Sequence, residues 1–218
     1  MLPFILFDLD NTLYPKSLGI FDQVVERIRN YMEDRLGFEK ALARELRQEY
    51  VRKYGSTLRG LMVHYNLNPE EYLAYVHDVG VDEKLSPNPA LAELLESIRS
   101  DKAIFTSGHL PHAQKVLRCL GVEQYFSQIF DITFTRYIPK PNPEPYTQIL
   151  EHLGLGGRDC MMIEDLPANL LPAKDLGMTT VLVGKDTRGV NGFVDHEIED
   201  ILELGSLLEK IGKSNLPG

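Results

Sequence analysis

Asp8 and Asp10 close the first apolar run of the chain, within Asp8-Leu9-Asp10-Asn11-Thr12. Further polar groups follow similar runs: Thr106-Ser107-Gly108, Lys140 between Pro139 and Pro141, and Glu164-Asp165. Carboxylates converging on one spot repel one another and resist ionisation. A hard divalent cation relieves that repulsion, and Mg²⁺ favours a few carboxylates together with water and phosphate oxygens. Lys140, Thr106 and backbone N–H groups at a helix start are suited to hold a phosphate. Asp8 and Asp10 stand two apart, so a regular strand would put both on one face. A turn directly after Asp8 would let one carboxylate face phosphorus while the other reaches the leaving oxygen. The chemistry such a set could perform is phosphoryl transfer through an aspartyl phosphate.

Taken singly, each group has a plainer reading. Acidic turns are common, a loop lysine is usually solvated, and Glu164-Asp165 suits a helix start. An EF-hand loop starting at Asp8 would need Glu at its twelfth position, where Gly19 stands. What joins the groups is their order at successive strand ends.

Those strands announce themselves as short continuous apolar runs, the pattern of a sheet buried on both faces. They are expected at 4–7, 103–105, 129–134, 160–163 and 179–183. Leu110, Ala113, Val116, Leu117 and Leu120 keep the helical period and end at Gly121, as Tyr146, Ile149, Leu150 and Leu153 end at Gly154. Asn88 and Pro89 start a helix over 89–99. The alternation predicts an α/β fold, a Rossmann-like doubly wound parallel sheet, in which ligands bind at the carboxyl ends of the strands.

Residues 18–84 break the rhythm. Phe21, Val24, Val25, Ile28, Tyr31 and Met32 lie at helical spacing, and Leu42, Leu46, Tyr50 and Tyr54 form a second helical row. Asn68 caps a third helix with Glu71 at its third position. The expected organisation is therefore an α/β core of 1–15 and 86–218 with an all-helical cap, 16–85, inserted after the first strand.

The chain has 218 residues, 43% of them hydrophobic and 25% charged, which excludes disordered and low-complexity classes. Its net charge of −9 argues against nucleic-acid polymers and anionic membranes as partners. Between Asp22 and Gly60, however, nine Lys/Arg face seven Asp/Glu, leaving −11 on the remainder. Cys119 and Cys160 are expected as two small buried residues. The N-terminal run lacks a basic flank and stops at Asp8, which reads as no signal peptide and a cytoplasmic location. No apolar stretch approaches the ~20 residues of a membrane span.

Together these stretches resemble the haloacid dehalogenase (HAD) superfamily, in the branch whose helical cap follows the first motif. DLDNT at 8–12, FTSG at 105–108, Lys140 and IED at 163–165 match its four motifs. The resemblance implies Asp8 as nucleophile and Asp10 as acid and then base. It implies Thr106 as phosphate ligand, with Ser107 and Asn11 beside it, and Lys140 as the cation steadying Asp8. Mg²⁺ would be held by Asp8, Asp165 and the backbone carbonyl of Asp10, with Glu164 contributing indirectly. DLDNTLYP (8–15), YGSTLRGLM (54–62) and FTSGHLPHA (105–113) are further similar to the pyrimidine 5′-nucleotidase group. Ser107 departs from that group's FTN motif, whereas Asn169 is usual there.

The implied activity is a Mg²⁺-dependent phosphomonoesterase on a small phosphorylated metabolite of the UMP or CMP kind. Dehalogenases and phosphonatases of the superfamily lack an acid two residues after the nucleophile, so Asp10 disfavours both. A generalist phosphatase, a phosphomutase, or a silent scaffold on the same fold are the other readings. In the cap, Arg59 is expected to face substrate, and His64, Tyr65 and Tyr54 are further candidates, with cap packing the expected role of the two tyrosines. His109 is placed at the mouth of the site and His112 on its helix surface. Gly55 and Gly60 are expected to allow bends.

Overall fold

The computed structural model describes residues 3–184 and 192–214; Met1 and Leu2, at the head of the N-terminal apolar run, lie outside them. Six parallel strands form one sheet in the order β3-β2-β1-β4-β5-β6. They are β1 (Phe4–Phe7), β2 (Lys102–Phe105), β3 (Gln128–Phe130), β4 (Cys160–Glu164), β5 (Thr179–Val183) and β6 (His196–Ile198). Four helices cross between them or follow: α6 (Pro89–Ser97), α7 (Leu110–Leu120), α8 (Pro143–Leu153) and α9 (Pro167–Asp175), with α10 (Leu204–Ser214) last. The chain winds outward from β1 in both directions, so the switch in strand order falls between β1 and its neighbours β2 and β4. A doubly wound sheet opens its ligand crevice there.

The two faces of the sheet bury separate apolar clusters. Ile5, Phe7, Ile104, Met161, Ile163 and Val181 point to one, against α6, α7 and α10. Leu6, Ala103, Phe105, Met162 and Leu182 point to the other, against Tyr146 and Ile149 of α8 and Leu170 and Ala173 of α9. Burial on both sides is why these strands read as unbroken apolar runs. Gly121 and Gly154 stop α7 and α8 with φ of 73° and 65°, and Asn88 and Asn142 cap α6 and α8 through their side-chain oxygens.

Between β1 and β2 the chain is helical throughout. It runs through α1 (Ile20–Asn30), which widens into a π turn at Tyr31–Arg35, then α2 (Lys40–Tyr54), α3 (Thr57–His64), α4 (Pro69–Val76) and α5 (Val81–Lys84). Tyr31, Met32, Ala43, Tyr50, Leu58, Leu61, Tyr72, Leu73 and Val76 form a third cluster, which Ile132 of the sheet layer joins. Ile20, Val24, Val79, Val81 and Leu85 instead pack into the first sheet cluster. The inserted helices are thus seated at both ends on the α/β layer.

Several sequence expectations need correction. The run at 129–134 is strand only to Phe130, because the Asp131 carboxylate accepts from the N–H groups of Leu110 and Phe134 and from the Thr133 hydroxyl, which curls the chain into turns. β6 is three residues long and too short to stand out as a run. The helix expected over 89–99 ends at Ser97. Phe21 and Leu42, both placed in apolar rows, are exposed. Cys160 is buried in β4, but Cys119 is only half-buried. No described helix is long and apolar enough to cross a membrane.

Gly55 does bend the chain, ending α2 with φ of 81°. Gly60 does not: it lies inside α3, and a Cβ there would sit 2.2 Å from Cγ of Tyr50. Its role is the close approach of α2 and α3. Gly60→Ala should therefore cost about 1–3 kcal/mol by overpacking, read as a lowered midpoint in urea; an unchanged midpoint would contradict this packing.

Candidate active site

β1, β2 and β4 end side by side, and their tips bring the polar stretches together. Phe7 pairs with Ile104 on one side and Ile163 on the other, so Asp8 emerges between Phe105 and Glu164. The Asp8 N–H still donates to the Ile163 carbonyl at 2.9 Å, the last bond of the ladder. The chain then turns at once. Thr12 and Leu13 both donate to the Leu9 carbonyl, and Asn11 takes φ of 66°, a left-handed conformation that asparagine tolerates. The turn separates Asp8 from Asp10, which would otherwise share one strand face.

Lys140 reaches the same place from the loop before α8. Its Nζ donates to Asp8 Oδ1 at 2.7 Å, to Glu164 Oε2 at 2.6 Å and to the Phe105 carbonyl at 2.9 Å. All three ammonium donors are used, and the lysine is buried. Its backbone N–H donates to Ser107 Oγ at 3.2 Å, so Ser107 steadies the Lys140 loop. Thr106, also buried, accepts the Gly108 N–H on Oγ1 at 2.9 Å, which leaves its hydroxyl proton free. Asp8 Oδ2 accepts the Thr12 hydroxyl at 2.9 Å, and Glu164 Oε1 accepts the Leu166 N–H.

One cation thus serves three acids. Burial, reinforced by the Glu164 charge and only partly offset by Lys140, pushes the Asp8 carboxyl up to about 7. Burial likewise raises Glu164 to about 7, against the pull of Lys140, and burial with the charge of Asp8 raises Asp165 to about 6. Burial disfavours the Lys140 ammonium, but Asp8 and Glu164 outweigh it and hold the charge on. Oxygens of Asp8, Glu164 and Asp165 all lie within 4.8 Å of one another. This is a hard, oxygen-only donor set short of positive charge, which fits a small divalent cation. Asp10 is the exception among the carboxylates. Burial would raise it, but the charge and hydrogen bond of His112 and the Tyr14 hydroxyl bring it down to about 2.

Asp10 Oδ1 accepts from Tyr14 at 2.6 Å and from His112 Nε2 at 2.9 Å. Sequence reasoning passed over Tyr14 and misplaced His112, which is buried against the site and not on the helix surface. A signal was available: His112 is one helical turn before Val116, on the face that packs inward. At the first turn of α7 that face overhangs the end of the sheet and meets Asp10. His109 lies at the start of the same helix, with Nε2 3.2 Å from Glu70 Oε2 of α4. Asn11 is only half-buried, with its side-chain oxygen buried and unpaired, and Asn169 is buried, its carbonyl accepting the Tyr146 hydroxyl.

Arg59 is not beside Asp8. It lines a cavity of about 390 Å³ with Arg52, Lys53, Tyr54 and Gly55 on one wall and Ile138, Pro139, Pro141 and Asn142, which flank Lys140, on the other. Tyr54 and His64 bond each other at 2.8 Å, Tyr54 also lining this cavity, and Tyr65 packs on Phe38.

The central tips of a parallel α/β sheet thus carry a lysine-clamped aspartate, a free threonine hydroxyl and a second, separately held aspartate. The family model for haloacid dehalogenase-like hydrolases matches residues 3–177, and the chain belongs to that family. It is 27% identical to phosphate metabolism protein 8 of Saccharomyces cerevisiae over 81% of this chain, spanning 60% of that protein's length. It is 28% identical to glyceraldehyde 3-phosphate phosphatase of Methanopyrus kandleri over 98% of this chain and all of that one. Among solved structures, a HAD phosphatase from Thermococcus onnurineus matches 95% of this chain and 98% of its own with a TM-score of 0.64 at 23% identity, which shows the shared fold.

The raised acids set a pH dependence of stability. A carboxyl whose folded value exceeds its unfolded one holds more protons folded, so its stabilisation is complete below the unfolded value and is lost as pH rises through the folded one. For Asp8 and Glu164 that loss runs up through about 7. His77, held near 3 by burial and by the charge of His112, works in the opposite sense only below 6.5, its ordinary value. In EDTA, the melting temperature is therefore expected to fall between pH 6.5 and 8; a flat or rising value would contradict the clamp's electrostatics.

Proposed function

We propose that this chain is a Mg²⁺-dependent phosphomonoesterase that acts through an aspartyl phosphate on Asp8, with a pyrimidine nucleoside 5′-monophosphate such as UMP or CMP as substrate. The observation that carries the reading is the division of labour between two aspartates two residues apart. Asp8 is clamped by Lys140 and Thr12, whereas Asp10 is held apart on Tyr14 and His112. We take residues 1–15 and 86–218 as the core and 16–85 as the cap.

Asp8, Asp165, Glu164 and the backbone carbonyl of Asp10 are the groups that would hold Mg²⁺. Bound there, the ion supplies positive charge for the carboxylates and for the phosphoryl oxygens. The free Thr106 hydroxyl would donate to the same oxygens, while Lys140, its donors spent on Asp8, Glu164 and the Phe105 carbonyl, would contribute its charge, and Ser107 keeps the Lys140 loop in place. Oδ1 of Asp8 stays on Lys140 and Oδ2 on Thr12, so the carboxylate is oriented before attack. An Asp8 oxygen bonds to phosphorus as the bond to the leaving oxygen breaks. Asp10 passes a proton to that oxygen. Asp10 rests ionised, so it must first take up the proton, and a phosphate monoester monoanion, with its second ionisation near ~6, carries one. In the second half Asp10 returns to its resting role and removes a proton from the water that attacks phosphorus, freeing Asp8.

Arg59 and the cavity it lines support a site for the rest of the substrate, since about 390 Å³ is in the range of small-molecule pockets and Arg52, Lys53 and Arg59 line it in the mildly basic first half of the cap. The nucleotidase-like motifs at 8–15, 54–62 and 105–113 favour a nucleotide there. The net charge of −9 weighs against nucleic-acid polymers and anionic membranes as partners, and a cytoplasmic location is part of the reading.

Asp8→Asn should abolish turnover in a protein that still folds; normal turnover by the folded variant would contradict the covalent route. With Mg²⁺ present, a panel of UMP, CMP, purine nucleotides and sugar phosphates should show a preference for UMP and CMP. Equal activity across the panel would replace the nucleotidase reading with a generalist phosphatase.

A further inference from the structure

Two histidines, His112 buried and His77 half-buried, converge on Asp10. His112 Nε2 lies 2.9 Å from Asp10 Oδ1. An ionised carboxylate only accepts, so Nε2 carries the proton and donates it. The other ring nitrogen, Nδ1, is buried without any partner. Burying an imidazole with one nitrogen unpaired carries a desolvation cost that an apolar side chain on the same face of α7 would avoid. The ring's polarity serves nothing else in the fold, since its one hydrogen bond is to Asp10.

His77 stands behind it. It follows α4, its Nδ1 lies 3.0 Å from the Leu73 carbonyl, and its ring lies on that of His112 with centroids 4.8 Å apart. A carbonyl also only accepts, so Nδ1 carries the His77 proton and Nε2 is bare. A Cβ on Gly108 would fall 3.1 Å from Thr106 Oγ1, 3.5 Å from His77 Nε2 and 3.7 Å from Asp10 Oδ2. The small space beside Asp10 Oδ2 is thus bordered by His77 from the cap and by Thr106 from the core. Oδ1, by contrast, is filled by two donors.

We propose that His112 is the positioning residue for Asp10, fixing its carboxylate by Oδ1 so that Oδ2 faces the leaving oxygen, and that His77 seats His112 only while α4 lies against α7. Tyr14 cannot do this alone. It is four residues from Asp10 on the same turn and moves with it, whereas His112 ties Asp10 to a helix 102 residues away. Orientation of the proton carrier is accordingly coupled to the seating of the cap.

The inference rests on the reading of Asp10 as proton carrier, and a pair of esters separates the two. p-Nitrophenyl phosphate has a leaving group that hardly needs a proton; phenyl phosphate, of nearly the same shape, has one that does. Asp10→Asn should lose far more activity on phenyl phosphate than on p-nitrophenyl phosphate, and equal losses would overturn the Asp10 reading itself. Given that selective loss, His112→Phe should show it too, lowering kcat on phenyl phosphate roughly ten-fold more than on p-nitrophenyl phosphate with KM unchanged. His112→Gln, which can place an amide N–H near Nε2, should recover part of it. His77→Leu should show the same pattern more weakly. Equal losses on both esters, a change in KM alone, or no recovery in His112→Gln would overturn the role of His112. A His77→Leu enzyme without selective loss would overturn the coupling to the cap. Independently of turnover, side-chain ¹⁵N spectra should show His112 protonated at Nε2 and shifted in Asp10→Asn; a His112 resonance that ignores Asp10→Asn would contradict the bond.

Discussion

The Lys140 ammonium, held between Asp8 and Glu164 and closed off by the Phe105 carbonyl, is the interaction on which the rest of the site depends. A buried charge is tolerated only when its partners are close and its remaining donors are used, and removing one member of such a cluster leaves an unpaired charge in low dielectric. The three partners come from three strand ends, so the cluster forms only if β1, β2 and β4 finish at the same level. The parallel register ensures this: Phe7 sits between Ile104 and Ile163. The apolar clusters on both faces of the sheet set that register and leave the polar tips no other direction. The same arrangement leaves one positive charge against three acids, and the resulting deficit makes the site a place for a divalent ion and a phosphate.

Much of this was legible in the chain. Asp8, Thr106 and Glu164 stand where continuous apolar runs end, Lys140 follows in the segment after the third run, and the fold does bring them together. The α7 and α8 stops at Gly121 and Gly154 and the caps at Asn68 and Asn88 were equally readable, since each rests on a local backbone requirement. Other features depend on contacts between distant residues. Asp131 looks like a polar interruption of a strand, and only its bonds to the start of α7 and to Thr133 reveal why the strand stops. His112 shares a helix face with Val116, yet whether that face meets the core or the site depends on how far α7 projects past the sheet. Tyr14 reaches Asp10 because Asn11 turns the chain left-handed, which the residue order alone does not announce. Gly60 reads as a hinge in isolation and is a contact surface in the fold.

The inserted helices meet the core along two lines that flank the site. On one, His77 lies on His112, and Glu70 of α4 accepts the Tyr137 hydroxyl at 2.5 Å and lies beside His109. On the other, Gly55 approaches the Lys140 loop closely enough that a Cβ would lie 3.1 Å from the Lys140 carbonyl, with the Arg59 cavity alongside. The first line touches His112, which holds Asp10, and the second the loop that carries the clamp. A chemistry that needs little beyond positioning and charge neutralisation can therefore be governed by how these helices sit.

The central claim is that Asp8 becomes phosphorylated during turnover. It is tested most directly by quenching the enzyme in acid while it hydrolyses substrate, reducing with borohydride and mapping the product peptides. An acyl phosphate on Asp8 would be reduced to homoserine at position 8, and that product is the result expected. Homoserine at another aspartate, or none at all in an enzyme that was turning over when quenched, would contradict the account.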